Sequence, residues 1–212
     1  MPDTGKDPQT FYYPNKLGRI ILLSLEEVIG RNGINAVLNL ADLHHLINNL
    51  PPDTFDLGFR FDDLGSIHQA LDTMYGPRAG RGLALRAGRA CFKHGLHEFG
   101  TILGVSDLAF RLLPLKMKIK VSVEAFAELF NNYTDQIVWV EEKPDEFFWH
   151  TERCAACWGR VTDSPCCQLT VGLLQETLFW VSGGKYFMVE ETSCIAQGDQ
   201  TCTIYLSRQP LE

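Results

Sequence analysis

Gln136-Ile137-Val138-Trp139-Val140-Glu141-Glu142-Lys143-Pro144-Asp145-Glu146-Phe147-Phe148-Trp149-His150-Thr151 is the stretch at which the chain changes texture. Before it, apolar residues recur at three- and four-residue steps. Within it, β-branched and aromatic residues alternate on both sides of a Lys-Pro-Asp break. The pattern predicts a hairpin, with strands from Gln136 to Glu142 and from Phe147 to Thr151.

Downstream, Leu169, Val171, Leu173, Leu174, Leu178 and Phe179 predict a helix from Cys167 to Trp180, ended by Gly183-Gly184. Tyr186 to Glu191 and Cys202 to Leu206 then flank the polar turn Gln197-Gly198-Asp199-Gln200 as a second hairpin. Upstream, Leu17, Ile20, Ile21, Leu25, Val28 and Ile29 form a helical set that stops at Gly30-Arg31-Asn32-Gly33. A second set, Ile34, Val37, Leu38, Leu43, Leu46, Ile47 and Leu50, closes at Pro51-Pro52, so two antiparallel helices are expected. Helical spacing continues through Leu64, Ile67, Leu71 and Met74, then Leu83, Leu85, Cys91, Phe92 and Leu96, with breaks at Gly76-Pro77 and around Gly100 to Gly104. A further helical stretch covers about Ser106 to Asn131, broken or kinked at Pro114.

The expected fold is α+β: a helical N-terminal half packed with an antiparallel sheet of about four strands, one helix lying between its two hairpins. Residues 1–15 contain three prolines and no helical period, so a flexible arm is expected there and a single domain over 16–212.

With 212 residues, 45% of them hydrophobic and 11% aromatic, the chain can bury a substantial core, which excludes general disorder. Its longest apolar run, Ile20 to Leu25, falls far short of the ~20 residues of a membrane span. Asp3, Asp7, Pro2 and Pro8 stand where a signal peptide needs basic and then apolar residues, so a cytoplasmic location is expected. Nineteen basic against 26 acidic residues leave a net charge of −7, which disfavours nucleic acid as a partner.

Six of the seven cysteines lie between Cys154 and Cys202: Cys154-x-x-Cys157, Cys166-Cys167, Cys194 and Cys202. In a reducing compartment such crowding means metal binding, redox chemistry or burial rather than a disulfide framework. Thiolates bind zinc tetrahedrally, and free cysteine is also a small, commonly buried hydrophobe. The gap between the two pairs is not a zinc-ribbon spacing, so both readings stay open.

Gly184 to Cys202, with Glu191, Cys194, Gly198, Asp199 and Cys202 at its marked positions, resembles the C-terminal signature of 4-vinyl-reductase-type domains. Cys154 to Arg160, Pro165-Cys166-Cys167 with Gly172, Gly80-Arg81-Gly82 and Gly88-Arg89-Ala90 resemble the same family. That resemblance implies a dimeric fold shared with vesicle-tethering subunits of the transport protein particle and with phenol-sensing regulatory domains, built around a hydrophobic ligand. It also implies a closed structural zinc held by Cys167, Glu191, Cys194 and Cys202. Cys166 is an alternative to Cys167, because the turn at Gly183-Gly184-Lys185 is one residue longer than in those sensors, and Cys154 or Cys157 could compete.

Arg78, Arg81, Arg86, Arg89 and Lys93 form the one basic stretch, and Arg86 and Arg89 suit an acidic tail such as a tetrapyrrole propionate; a solvated face is the plainer reading. Phe126, Phe130, Trp149 and Trp180 are candidates to line an apolar pocket, although most aromatic residues serve the core. His94 and His97 beside Glu98, like His44, His45, His68 and His150, form no nucleophile and base arrangement. The expected function is therefore a non-enzymatic binding protein for a hydrophobic small molecule such as a chlorophyll or other tetrapyrrole precursor, acting in pigment biosynthesis, delivery or sensing for photosynthesis. It is expected as a homodimer or as a heterodimer with a related chain. Participation in 4-vinyl reduction with a separate reductant, or a scaffold role, are the alternatives.

Overall fold

The computed structural model describes residues 10–100 and 108–211. Residues 1–9 of the expected arm, and the break and helix start expected between Thr101 and Asp107, lie outside the described residues. The N-terminal half runs β1 (Tyr12–Pro14), α1 (Asn15–Leu40), β2 (Leu57–Arg60), α2 (Phe61–Tyr75), α3 (Pro77–Phe99), α4 (Leu108–Leu112) and α5 (Leu115–Tyr133). The second half runs β3 (Ile137–Glu142), β4 (Glu146–Glu152), α6 (Gln168–Val181), β5 (Phe187–Ser193) and β6 (Cys202–Pro210).

The two hairpins form one antiparallel sheet in the order β3-β4-β6-β5, with α6 connecting them as the alternation implies. Trp139 pairs with His150 in the first hairpin and Glu191 with Ile204 in the second. Trp149 opposite Ile204 joins the hairpins. Phe147, Trp149 and Thr151 are buried while their neighbours are not, the two-residue period of a strand with one face on the core.

Two local features differ from the sequence reading. The expected pair of N-terminal helices is one element with a kink at Gly30 (φ 75°, ψ 163°), and its second part ends at Leu40. Beyond it Asp42 (φ 61°) and Asn48 (φ 54°) take left-handed backbone, which no helix accommodates. Leu43 and Leu46 are buried from this irregular segment, so burial there mimics a helical period. β2 pairs with β1 through Tyr12 and Arg60, a ribbon too short to print a pattern because only Phe59 of β2 is buried.

α3 packs against α1, α2 and α6, so it is the central helix of the helical layer. Its first inward residues are small, Gly80, Ala84, Ala87, Gly88 and Ala90, and Cys91, Phe92 and Phe99 follow. At the crossing with α6, a Cβ on Gly88 would overlap the Leu169 carbonyl oxygen, and one on Gly172 would overlap that of Leu85. The two backbones therefore touch, which sets the position of α6 and of everything attached to its N-terminus.

His68 on α2 is 2% exposed, and its Nδ1 lies 2.7 Å from the Ala156 carbonyl oxygen, to which it donates as the neutral tautomer. Burial lowers its pKa to about 4. An imidazole depressed in the folded state binds fewer protons than in the unfolded chain, so its stabilising effect is complete above the unfolded pKa of ~6.5 and is lost as pH falls toward 4. Relative to His68→Gln, the wild type should lose about 3 kcal/mol of unfolding free energy between pH 7 and pH 4. Urea titrations of both proteins across that range measure the difference; parallel pH profiles would contradict it.

Candidate functional site

Four segments converge on a buried thiol knot: the turn after β4 with Cys154 and Cys157, the start of α6 with Cys166 and Cys167, the end of β5 with Glu191 and Cys194, and the first residue of β6, Cys202. All six cysteines are free and buried, and the seventh, Cys91, lies apart on α3. Sulfur separations are 3.4 Å for Cys154–Cys167 and Cys157–Cys202, 3.6 Å for Cys167–Cys202, 3.8 Å for Cys167–Cys194 and 3.9 Å for Cys202–Cys194.

The donors form two sets, each within 4.8 Å internally: Cys167, Glu191, Cys194 and Cys202, and Cys154, Cys157, Cys167 and Cys202. The first is the set that the resemblance implied; the second contains the CxxC pair. Both have the number and type of donors of a closed tetrahedral site.

The surroundings hold these donors in place. The Cys167 amide donates to Glu191 Oε2 at 2.7 Å, while Glu191 Oε1 is buried without a hydrogen-bond partner. The Cys194 amide donates to Asp199 Oδ2 at 2.8 Å across the turn at Gly198 (φ 101°), and the Ile195 amide points at Cys202 Sγ at 3.3 Å. Burial, and next the charge at Cys194, pushes the Glu191 carboxyl up to about 9; hydrogen bonds, that from Cys157 first, hold the Cys194 thiol well below the ordinary thiol range. Neighbouring thiols also push Cys157, Cys167 and Cys202 up, so most of these donors keep their protons until a cation displaces them.

Beside the knot lies a small apolar cavity of about 50 Å³ between α1, α3, α5 and α6. Tyr13, Leu17, Ile21, Cys91, Phe92, Phe99, Phe126, Leu129, Phe130, Leu169 and Leu173 line it, with Gly95 and Thr170. Leu169 and Thr170 belong to the first turn of α6, directly after Cys167.

Of the aromatic candidates, Phe126 and Phe130 line this cavity. Trp149 stands behind Phe130 with ring centroids 6.0 Å apart, its Nε1 donating to Thr151 Oγ1 at 2.9 Å. Trp180 is 42% exposed, its ring 6.1 Å from Phe92. Neither arginine lines the cavity: Arg86 is exposed, and Arg89 donates to Gln175 Oε1 at 3.1 and 2.6 Å, tying α3 to α6. Arg78 and Arg81 face a broad open groove of about 810 Å³ beside Asp72 and Ser164. His94 meets Glu27 at 3.1 Å and His97 meets Glu98 at 3.0 Å, both on the outer surface. The cavity walls from α1 and α3 escaped the sequence reading, since Leu17, Ile21 and Phe92 carry the same helical spacing as any core residue.

No helix among the described residues is long and apolar enough to cross a membrane. No family model and no curated protein matches the chain. Solved structures do resemble it, and they are H-NOX proteins. One is the Fe(II) unliganded protein from K. algicida (14% identity, TM-score 0.59, covering 94% of this chain and 97% of that one). Another is the S. oneidensis protein in its Fe(II)NO ligation state (12%, TM-score 0.59, 92% and 99%). A third comes from work on heme distortion in the H-NOX family (12%, TM-score 0.59, 94% and 97%).

This corrects the assignment to 4-vinyl-reductase-type domains, and with it the reading of 4-vinyl reduction, chlorophyll biosynthesis and photosynthesis, because the structures similar to the chain are H-NOX proteins. The physical reason lies in the motif. Glu191, Cys194, Gly198, Asp199 and Cys202 satisfy a local thiol turn, with a left-handed glycine and an aspartate on the Cys194 amide, and that geometry identifies a knot rather than a family. At 12–14% identity, what the comparison shows is the fold: an α+β chain of the H-NOX kind over nearly its whole length.

Proposed function

We propose that the chain is a non-enzymatic binding domain of sensor type, which takes a small apolar molecule between α1, α3, α5 and α6 and holds a structural zinc at Cys167, Glu191, Cys194 and Cys202. The observation that carries this reading is the apolar cavity whose floor, Leu169 and Thr170, is the first turn of the helix that begins in the thiol knot. Occupancy of the cavity bears directly on α6, and α6 is fastened at one end by the knot and along its length by the Gly88–Gly172 crossing.

The size of the cavity selects the guest. At about 50 Å³ it is well below the roughly 300–1,000 Å³ of drug-sized sites and the roughly 150 Å³ of a benzene cavity, so it suits a molecule of a few heavy atoms. Haem, named for one of the similar structures, does not fit these residues. Among the described residues, no histidine lines the cavity. Burial pushes the Cys91 thiol up to about 12, leaving no thiolate for iron, and the Tyr13 hydroxyl is committed to Gln136 Oε1. Arg86 and Arg89, the anchors expected for an acidic tail, stand outside the cavity.

Gly95 provides the test. A Cβ there meets nothing nearer than Phe99 at 4.0 Å, so Gly95→Leu places a side chain in the cavity without a backbone clash. Dissolved xenon should shift the amide resonances of residues 169–173 saturably in the wild type and not in Gly95→Leu, with both proteins equally folded. A wild type without a saturable response removes the small-ligand reading. A Soret band saturating at one haem per chain would restore haem instead. A dimer through the N-terminal helices is expected at tens of micromolar, and a monomeric mass by light scattering there removes it.

A further inference from the structure

We propose that the knot is a dinuclear thiolate centre: two divalent ions of zinc type, one held by Cys154 and Cys157 and the other by Glu191 and Cys194, with the sulfurs of Cys167 and Cys202 bridging both. This rests on the single zinc site of the preceding reading and adds a second ion to it.

The two donor sets have Cys167 and Cys202 in common. Two tetrahedra that share two corners share an edge, so the common pair must be separated by one tetrahedral edge. With zinc–sulfur bonds of about 2.3 Å that edge is about 3.8 Å. The common pair lies 3.6 Å apart. The edges leading outward agree: Cys154–Cys167 and Cys157–Cys202 at 3.4 Å on one side, Cys167–Cys194 at 3.8 Å and Cys202–Cys194 at 3.9 Å on the other. Thiols in simple contact also meet near this spacing, so the distinguishing feature is that two complete four-donor sets lie on either side of one common edge.

Charge does not oppose the second ion. One divalent ion with three thiolates and a carboxylate leaves a net charge of two minus in the interior. A second ion brings two positive charges and the thiolates of Cys154 and Cys157 bring two negative ones, so the total is unchanged while two more buried sulfurs acquire a partner. Each thiol releases its proton to solvent as its bond to the metal forms, and no electron is transferred. Cys166, 3.8 Å from Cys194 and outside both sets, is the spare thiol.

The test uses the full chain, reduced, freed of metal and reloaded with ¹¹³Cd as the probe for zinc. The expected wild type binds two ions and shows two cadmium resonances, each split by the other through the bridging sulfurs. Cys157→Ser should hold one ion with a single unsplit resonance, and Cys166→Ser should keep both ions and the splitting. Circular dichroism confirms that each variant is folded. One ion per wild-type chain overturns the dinuclear centre and leaves the single zinc site standing; no ion overturns both. Two unsplit resonances show separate ions and also overturn the bridge. If Cys157→Ser fails to fold, the splitting in the wild type and in Cys166→Ser still decides.

Discussion

Cys167→Ser is expected to strip the knot of metal and lower the melting temperature by about 10–20 °C. Cys167 belongs to both donor sets, its sulfur lies within 3.8 Å of Cys154, Cys194 and Cys202, and its amide anchors Glu191. A structural zinc contributes roughly 10–16 kcal/mol in peptides that fold only with metal. Here the apolar core persists without it, so a loss on the order of 5 kcal/mol is the expectation, and at ~2–4 °C per kcal/mol for a domain of this size it gives the stated range. Serine keeps the shape and the α6 start, so the loss reports coordination rather than packing. The decisive control is a strong chelator, which should lower the wild-type transition to that of the variant and leave the variant where it is. A wild type indifferent to the chelator, melting together with Cys167→Ser, would return the knot to a set of buried thiols.

Gly88→Ala should destabilise the domain by about 3 kcal/mol, or roughly 10 °C in melting temperature, although it adds one methyl group. In a free helix the same change stabilises by about 1 kcal/mol, so the sign itself is diagnostic. The added carbon would overlap the Leu169 carbonyl oxygen and lie 2.9 Å from the Leu173 nitrogen, both backbone atoms of α6 that cannot rotate aside. α6 must move, and it takes Cys167, Leu169 and Leu173 along, so metal affinity should fall with stability. Gly82, in the same helix, has nothing within 4 Å of its would-be Cβ. Gly82→Ala is therefore expected to be neutral or slightly stabilising, and thermal melts of the pair separate helix propensity from helix contact. Equal melting temperatures for the two variants would mean that the helices do not touch at Gly88.

The elements and the layering were legible in the sequence because they depend on local periods: alternation over Phe147, Trp149 and Thr151, three- and four-residue steps along α2, α3 and α6, and stops at Gly76-Pro77 and Gly183-Gly184. The same reading failed beyond Leu40, where Leu43 and Leu46 reach the core from irregular backbone and only the left-handed angles of Asp42 and Asn48 end the helix. Crowded cysteines likewise pointed to a cluster, and the resemblance implied the Cys167, Glu191, Cys194 and Cys202 set, one of the two that the fold brings together.

What the linear order cannot contain is distance between remote segments. That Cys167 and Cys202 are common to two sets follows from β6 lying beside β4 and from α6 touching α3, pairings separated by tens of residues. That Phe126 and Phe130 share a cavity with Leu17 and Phe92, while Arg86 and Arg89 stand outside it, follows from how four helices pack. Residue identity sets what each local segment prefers, through backbone sterics and the burial of one face. Tertiary packing alone decides which donors and which apolar walls meet, because close contact between backbones, unlike a hydrophobic period, leaves only a glycine as its trace.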